Sequence, residues 1–339
     1  FLLTLLVGYW LNRARGKWGW LMLALMSGFL VQIIRKMEWT GSFEMLYQFW
    51  NGSRRASFGS SAVLFGLWSS VVFLGCLLLD REFLRGPANR IRTWAWRAFW
   101  LTATLVSFAG LLFSQSRSSW LAAGAVIFPA IVWRQFKHRR GRYTLVYVMA
   151  LILVLSSLFF TDFADLLADR IFSPVEPVRI LLSDNDLPSS AAEPLNTIPI
   201  YERFKIYRLF WESWKQHPWI GYGPGSSAAL FGASPIEFKD DYRDFHSLPF
   251  EILIQAGIIG IAILAGFLTI VFKQLRHSVR SGDIDRPYLQ FALGGCVMIL
   301  IYGFFSYPFS NIRGIYLFSF LYGMCYESKF SKTSARNEP

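Results

Sequence analysis

The chain has 339 residues, of which 54% are hydrophobic and 18% aromatic, while only 17% are charged, with a formal net charge of +12. An ordinary soluble domain carries about a quarter charged residues, so this composition excludes one and points to a bilayer as the solvent. The basic excess does not indicate nucleic acid, because it is divided among short connections between apolar blocks.

Most of the apolar blocks approach the 17–25 residues that cross a bilayer core as helix. In chain order they are Trp18–Ile34, Ser61–Leu79, Trp94–Phe113, Trp120–Trp133, Tyr143–Phe160, Leu248–Phe272, Tyr288–Pro308 and Ile315–Tyr326. Phe1–Leu11 reads as the end of another, and the absence of an initial Met implies that further spans precede it. No basic start or small-residue cleavage site marks a signal peptide.

Basic residues mark alternate connections: Arg13, Arg15, Lys17; Arg81, Arg85, Arg90, Arg92; Arg134, Lys137, Arg139, Arg140, Arg142; Lys273, Arg276, Arg280, Arg286; and Lys329, Lys332, Arg336. If each block crosses once, all of these lie on one side, the pattern that places them and the C-terminus in the cytoplasm. Cys76, Cys296 and Cys325 sit within apolar blocks with no paired spacing, so they indicate packing rather than a disulfide or zinc site.

The other side receives Arg35–Ser60, the tight turn Ser114–Ser119, and the long stretch Thr161–Ser247. That stretch holds thirteen acids against eight bases, and connections of such length are usually functional. Five prolines within Ser173–Pro199 predict irregular chain. Ile200–Gln216 then reads as an interfacial helix with an apolar seam of Ile200, Phe204, Tyr207, Trp211 and Trp214, and a polar face of Tyr201, Lys205, Arg208, Glu212 and Lys215. The expected organisation is therefore transmembrane helices over 1–160, an extracytoplasmic domain over 161–247, further transmembrane helices over 248–327, and a cytoplasmic tail over 328–339.

Four motifs follow in order: Asn51-Gly-Ser-Arg-Arg-Ala-Ser-Phe-Gly59 before a span, Ser114-Gln-Ser-Arg-Ser-Ser-Trp120 between two spans, W-E-S-W-K-Q-H-P-W-I-G-Y-G-P-G over Trp211–Gly225, and H-S-L-P-F-E-I-L-I-Q-A-G-I-I-G over His246–Gly260. This ordered set resembles the O-antigen ligase and polymerase family over roughly Asn51 to Gly260. One departure is Gln255, which stands where many members carry Glu. The resemblance implies an all-α, polytopic membrane helix bundle with a large extracytoplasmic loop domain, similar to the GT-C-like fold. It also implies a transferase that moves a glycan from undecaprenyl diphosphate to an acceptor hydroxyl at the outer face of the bacterial inner membrane. No metal, nucleotide sugar or other cofactor is implied. The expected partners are the lipid-linked glycan donor, lipid A-core or another glycan as acceptor, and membrane lipids.

Several residues are candidates for the chemistry. Arg117, between two spans, either snorkels to headgroups or clamps a diphosphate, for which a guanidinium offers a planar fork; the resemblance favours the clamp, with Ser116 and its neighbouring serines as added hydroxyl donors. Arg203, on the edge of the apolar seam, is the second diphosphate candidate. Arg208 competes for the same role, but it has Glu212 one turn on and reads as a solvated ion pair. A lone interfacial His246 is most often a hydrogen-bonding spacer, but the resemblance assigns it acceptor-side proton transfer. Glu251 either interacts with its helix N-terminus or orients His246. Gly221–Gly225 lacks the Lys-Ser/Thr of a phosphate loop and reads as a turn, Lys239–Asp244 lacks a metal-ligand spacing and reads as a solvated or acceptor-facing loop, and Arg54-Arg55 reads as a headgroup contact. Alternative activities are O-antigen or exopolysaccharide polymerase, protein O-oligosaccharyltransferase and, in another class, a lipid or anion transporter or flippase, against which stands the near absence of ionisable groups within the spans.

The charge pattern sets a test of orientation. A cysteine within Ser183–Ser190 is expected to react with an impermeant maleimide from outside the cytoplasmic membrane, whereas one within Arg139–Arg142 is not; reversed labelling overturns the topology.

Overall fold

A computed structural model describes residues 18–37, 42–50, 54–58, 60–79, 90–137, 199–236, 238, 242–281 and 286–335. The Phe1–Leu11 and Tyr143–Phe160 blocks and the proline-rich Ser173–Ile198 segment lie outside them. The described residues are all-helical: α1 (Trp18–Lys36), α2 (Ser42–Trp50), α3 (Ala62–Leu78), α4 (Arg90–Phe113), α5 (Arg117–Lys137), α6 (Pro199–Trp214), α7 (Ser226–Ala233), α8 (Leu248–Ser281), α9 (Arg286–Phe305), a 3-10 turn at Pro308–Ser310, and α10 (Ile312–Ala335). Thr93–Phe113, Leu248–Lys273 and Pro287–Phe305 are long and apolar enough to cross a membrane, and Ala62–Leu78 and Arg117–Ile131 are shorter apolar helices. The expectation of a helical membrane protein holds. Helix α2 falls inside a stretch read only as a connection.

The chain forms two compact units. In the first, α3 is buried along nearly its whole length and packs on α4 and α5. Small residues make that close approach feasible, the usual solution where lipid removes any hydrophobic drive between helices. A Cβ on Gly66 would lie 2.5 Å from Ser114 Oγ and 2.7 Å from Ser119 Oγ. Indole Nε1 of Trp100 donates across to the Cys76 carbonyl at 3.0 Å. Cys76 and Cys296 are buried and form no disulfide, in keeping with packing roles.

The second unit is residues 156–267 and 303–310, and its core is Ile206, Leu209, Phe210, Phe231, Phe245 and Ile254. The expected seam of α6 is rotated. Ile206, Leu209 and Phe210 face the core together with Glu202 and Ser213, while Phe204 and Trp211 are 47% and 50% exposed. Tyr207 and Trp214 are shared by both descriptions, as partly buried residues at the core margin. The helix carries apolar side chains around most of its circumference, so spacing alone does not select the inward stripe. Phe210 decides it, stacking on Phe250 at 4.0 Å between ring centroids. Buried Glu202 is matched by Lys205 Nζ at 2.9 Å.

Helix α8 is broken at Gly257, where φ is 61° and ψ is −159°, a conformation that is essentially glycine's alone. In an unbroken helix the N–H groups of Ile258 and Ile259 would donate to the carbonyls of Ile254 and Gln255. Here Tyr222 N–H donates to Ile254 O at 2.7 Å and Gly223 N–H to Gln255 O at 3.0 Å, while Ile258 N–H donates to Pro218 O at 2.9 Å and Ile259 N–H to Trp219 O at 3.2 Å. All four groups freed by the break are thus paired by one turn of the preceding chain. Left unpaired and buried, each would cost about 1–3 kcal/mol. Gly221 also lies against this break: a Cβ there would meet the α8 backbone, Gln255 C and Ala256 N both at 2.7 Å.

Gly257→Ala is therefore expected to destabilise the protein by at least about 1–3 kcal/mol from backbone strain, with overlap on the Trp219 carbonyl in addition. Gly232→Ala, at a helical position with open space for a Cβ, should leave the midpoint almost unchanged. Thermal unfolding in detergent checks both.

Candidate functional site

The second unit carries a built histidine site. Phe245 is fully buried, packing on Phe231 at 4.9 Å and Phe210 at 6.0 Å. The next residue, His246, has φ of 52°, a left-handed conformation that is rare outside glycine. Its imidazole remains 42% accessible, open to a substrate. Asp244 Oδ1 accepts the backbone N–H of His246 at 2.9 Å and lies 2.6 Å from its Nδ1. An ionised carboxylate oxygen is an acceptor, so Asp244 favours the tautomer that carries its proton on Nδ1. Tyr242 braces the imidazole edge-on at 5.1 Å.

Glu251 does not contact the imidazole. It is buried, accepting from Ser227 Oγ at 2.6 Å, Gln255 Nε2 at 2.6 Å and the Phe245 backbone N–H at 3.1 Å. It holds the backbone immediately before His246 and ties that backbone to α7 and α8. Asp244, read from sequence only as part of a solvated or acceptor-facing loop, is the imidazole's partner. An acid two residues before a candidate base was the available signal, hidden by the run of charges around it.

Tyr307 is a second residue that spacing did not identify. Burial, reinforced by the charges of Glu251 and Asp244, pushes its phenol up to about 12. Two residues earlier, the Phe305 carbonyl at the end of α9 accepts a long hydrogen bond of 3.4 Å from Arg203 Nη2. The short Phe305–Tyr307 segment therefore joins Arg203 to the surroundings of the Asp244–His246 pair. Arg208 forms the expected pair with Glu212 at 2.9 Å, with both side chains exposed.

In the first unit, Arg117 begins α5 and is exposed. The serines around it are not arranged as expected. Ser114, Ser116, Ser118 and Ser119 are all buried. Ser114 Oγ donates to Leu111 O at 2.7 Å, and Ser119 Oγ lies 3.0 Å from both Val63 O and Ser116 Oγ. Ser116 Oγ accepts from Ser119 N–H at 3.3 Å, the bond of a helix N-cap. Ser116 thus builds the start of the helix rather than offering its hydroxyl outward, because a sharp turn between two helices has backbone groups to satisfy first. Arg55 serves the same turn: its Nε donates to Ser114 O at 3.0 Å and its Nη2 to Gln115 O at 3.2 Å, a capping role that spacing did not reveal. Gln115 is buried with φ of 48°. Strain is concentrated beside the exposed arginine, as it often is at functional turns.

Among the described residues no group of His, Cys, Asp and Glu is arranged to hold a metal ion. Residues 102–265 match the family model described as O-antigen ligase, which takes in the serine turn, α6, the glycine turn, the histidine site and the break in α8. No curated protein matches the chain.

The phenol of Tyr307 sets a measurable pH dependence. Its folded-state value is raised from the ordinary 10 to about 12, so between those values the folded state holds a proton that the unfolded state has lost. Its contribution to stability is complete below pH 10 and is lost as pH rises through about 12. The unfolding midpoint should accordingly fall more steeply over pH 10–12 in the native protein than in Tyr307→Phe.

Proposed function

We propose that the chain, whose residues 102–265 match the O-antigen ligase family model, is a membrane glycosyltransferase of that family, and that it transfers a glycan from undecaprenyl diphosphate to an acceptor hydroxyl, with lipid A-core as acceptor. The observation that carries the reading is the Asp244–His246 pair, with its 2.6 Å contact and accessible imidazole.

The reaction is a single displacement at the anomeric carbon. Nε2 of His246 accepts the proton of the acceptor hydroxyl as its oxygen forms a bond to that carbon. The bond from the carbon to the carrier's diphosphate oxygen breaks, and the electron pair leaves with undecaprenyl diphosphate. Asp244 keeps Nδ1 protonated and stabilises the imidazolium that forms, while Glu251 holds the backbone that presents the ring. Arg203 neutralises charge on the departing diphosphate, an electrostatic contribution that is often the largest in such reactions. It suits that role better than Arg208, whose guanidinium is engaged by Glu212 at 2.9 Å. Arg117 is proposed as a further diphosphate ligand on its own grounds, as an exposed guanidinium at a helix N-terminus, where anions are favoured. The proposed setting is the outer face of the cytoplasmic membrane, consistent with the distribution of bases. A polymerase or a protein glycosyltransferase would use the same groups and differ in acceptor.

The test is purified protein in liposomes with a lipid-linked glycan and a candidate acceptor, with chelator present. His246→Ala is expected to lower transfer by about 10²–10⁴-fold, the usual worth of general acid–base catalysis, while carrier binding survives. Asp244→Asn should also lower transfer and leave carrier binding intact. Arg203→Ala should weaken carrier binding and Arg208→Ala should not, whereas Arg117→Lys keeps the charge but loses the fork and should lose much of the activity. Transfer that persists in His246→Ala removes the histidine from the chemistry. A strict metal requirement redirects attention to the acidic loop, and carrier movement without transfer favours a flippase.

A further inference from the structure

We propose that the turn Pro218–Tyr222 is a re-entrant segment seated in the acyl region of the bilayer, with Trp219 and Ile220 in contact with lipid chains rather than water.

Depth is the first observation. The candidate span Leu248–Lys273 has no charged residue between Glu251 and Lys273. About 20 helical residues cross the hydrocarbon core, and counted back from Lys273 they reach Leu253. The residues to which the turn is hydrogen-bonded, Ile254, Gln255, Ile258 and Ile259, therefore fall inside that stretch. A turn joined to them by four backbone bonds sits at their depth.

The second observation is chemical. Trp219 and Ile220 are 66% and 68% exposed, and Ile258, Ile259 and Ile263 on α8 are exposed as well. The outward face of the turn is thus continuous in character with the outward face of the helix that crosses the membrane. Such a face, placed in water, would be an apolar patch without a covering partner.

The third is the backbone itself. Irregular chain is tolerated at membrane depth only where its polar groups find partners within the protein. The carbonyls of Pro218 and Trp219 and the N–H groups of Tyr222 and Gly223 are paired with α8, and Gly221 N–H closes on His217 O at 3.0 Å. These bonds supply, within the protein, partners that a water-exposed turn would draw from solvent. The inference stands apart from the transfer chemistry and can fail or hold independently of it.

The experiment uses the full chain in phosphatidylethanolamine–phosphatidylglycerol liposomes, with Cys76, Cys296 and Cys325 replaced by alanine. A nitroxide is attached to Ile220→Cys, to Ile263→Cys as a span reference, and to Ala233→Cys as a water-facing reference. Collision of the label with oxygen at position 220 should exceed collision with a water-soluble nickel chelate several-fold, as at 263, with the reverse at 233. Preferential collision with the nickel chelate at 220 overturns the proposal in favour of a solvated turn. Protection from both reagents overturns it in favour of a protein partner. Where the cysteine-free background does not fold, the native-cysteine chain supplies the second readout. Trp219→Phe should then remove a component of the fluorescence that brominated lipid quenches and iodide does not; loss of an iodide-quenched component instead contradicts the proposal.

Discussion

The arrangement of the second unit depends on one exchange of backbone hydrogen bonds. Helix α8 gives up two of its own bonds at Gly257 and receives four from the turn at Pro218–Gly223. Had the helix stayed intact, its carbonyls at Ile254 and Gln255 would already be occupied, and the turn would have no acceptors to hold it. Breaking it in lipid without the turn would leave polar groups with no partner, each costing several kcal/mol. Neither element is stable in its observed form without the other. This mutual requirement explains why glycine occurs on both sides of the contact, at Gly221 and Gly257.

The histidine site rests on this joint. The N-terminal turns of α8 carry Glu251, whose carboxylate binds Ser227 and the Phe245 N–H. Through Phe245, which is anchored in the aromatic core, the backbone is held at the left-handed conformation that turns His246 outward. Asp244 then fixes the ring. The chain of cause runs from a helix break, through a buried carboxylate, to the tautomer of an exposed imidazole. The serine turn of the first unit follows a related logic on a smaller scale. Its hydroxyls and Arg55 are consumed in satisfying helix ends, and the side chain left exposed at the start of α5 is Arg117.

The sequence was informative where composition or spacing constrains a single outcome. Hydrophobic blocks located helices α1, α3, α4, α5 and α9 to within four residues at each end, because bilayer thickness constrains apolar length, whereas α8 and α10 run nine residues past their blocks, to Ser281 and Ala335. The pairing of Arg208 with Glu212 followed from helical periodicity. The inward face of α6 did not, because Phe204 and Trp211 compete with Ile206, Leu209 and Phe210, and only the stacking on Phe250 separates them. Four serines beside an arginine resemble a cluster of donors for a ligand, yet the demand of two adjacent helix ends takes precedence, which only geometry reveals. Asp244 escaped notice for a comparable reason: its role depends on a left-handed residue folding the imidazole back onto a carboxylate two positions earlier, and His is not a residue whose backbone conformation spacing can forecast.

The joint between the turn and α8 also closes the intervening chain. Residues 224–253 leave it at Gly223 and return to it at Ile254, so backbone hydrogen bonds tie their two ends together. Changes of length or composition within that ring need not disturb the register of the membrane helix, because the closure lies outside it. The segment between Gly225 and His246 is thus held from outside by the clasp, while Ser227, Phe231, Asp244 and Phe245 within it tie it to the histidine site and the core.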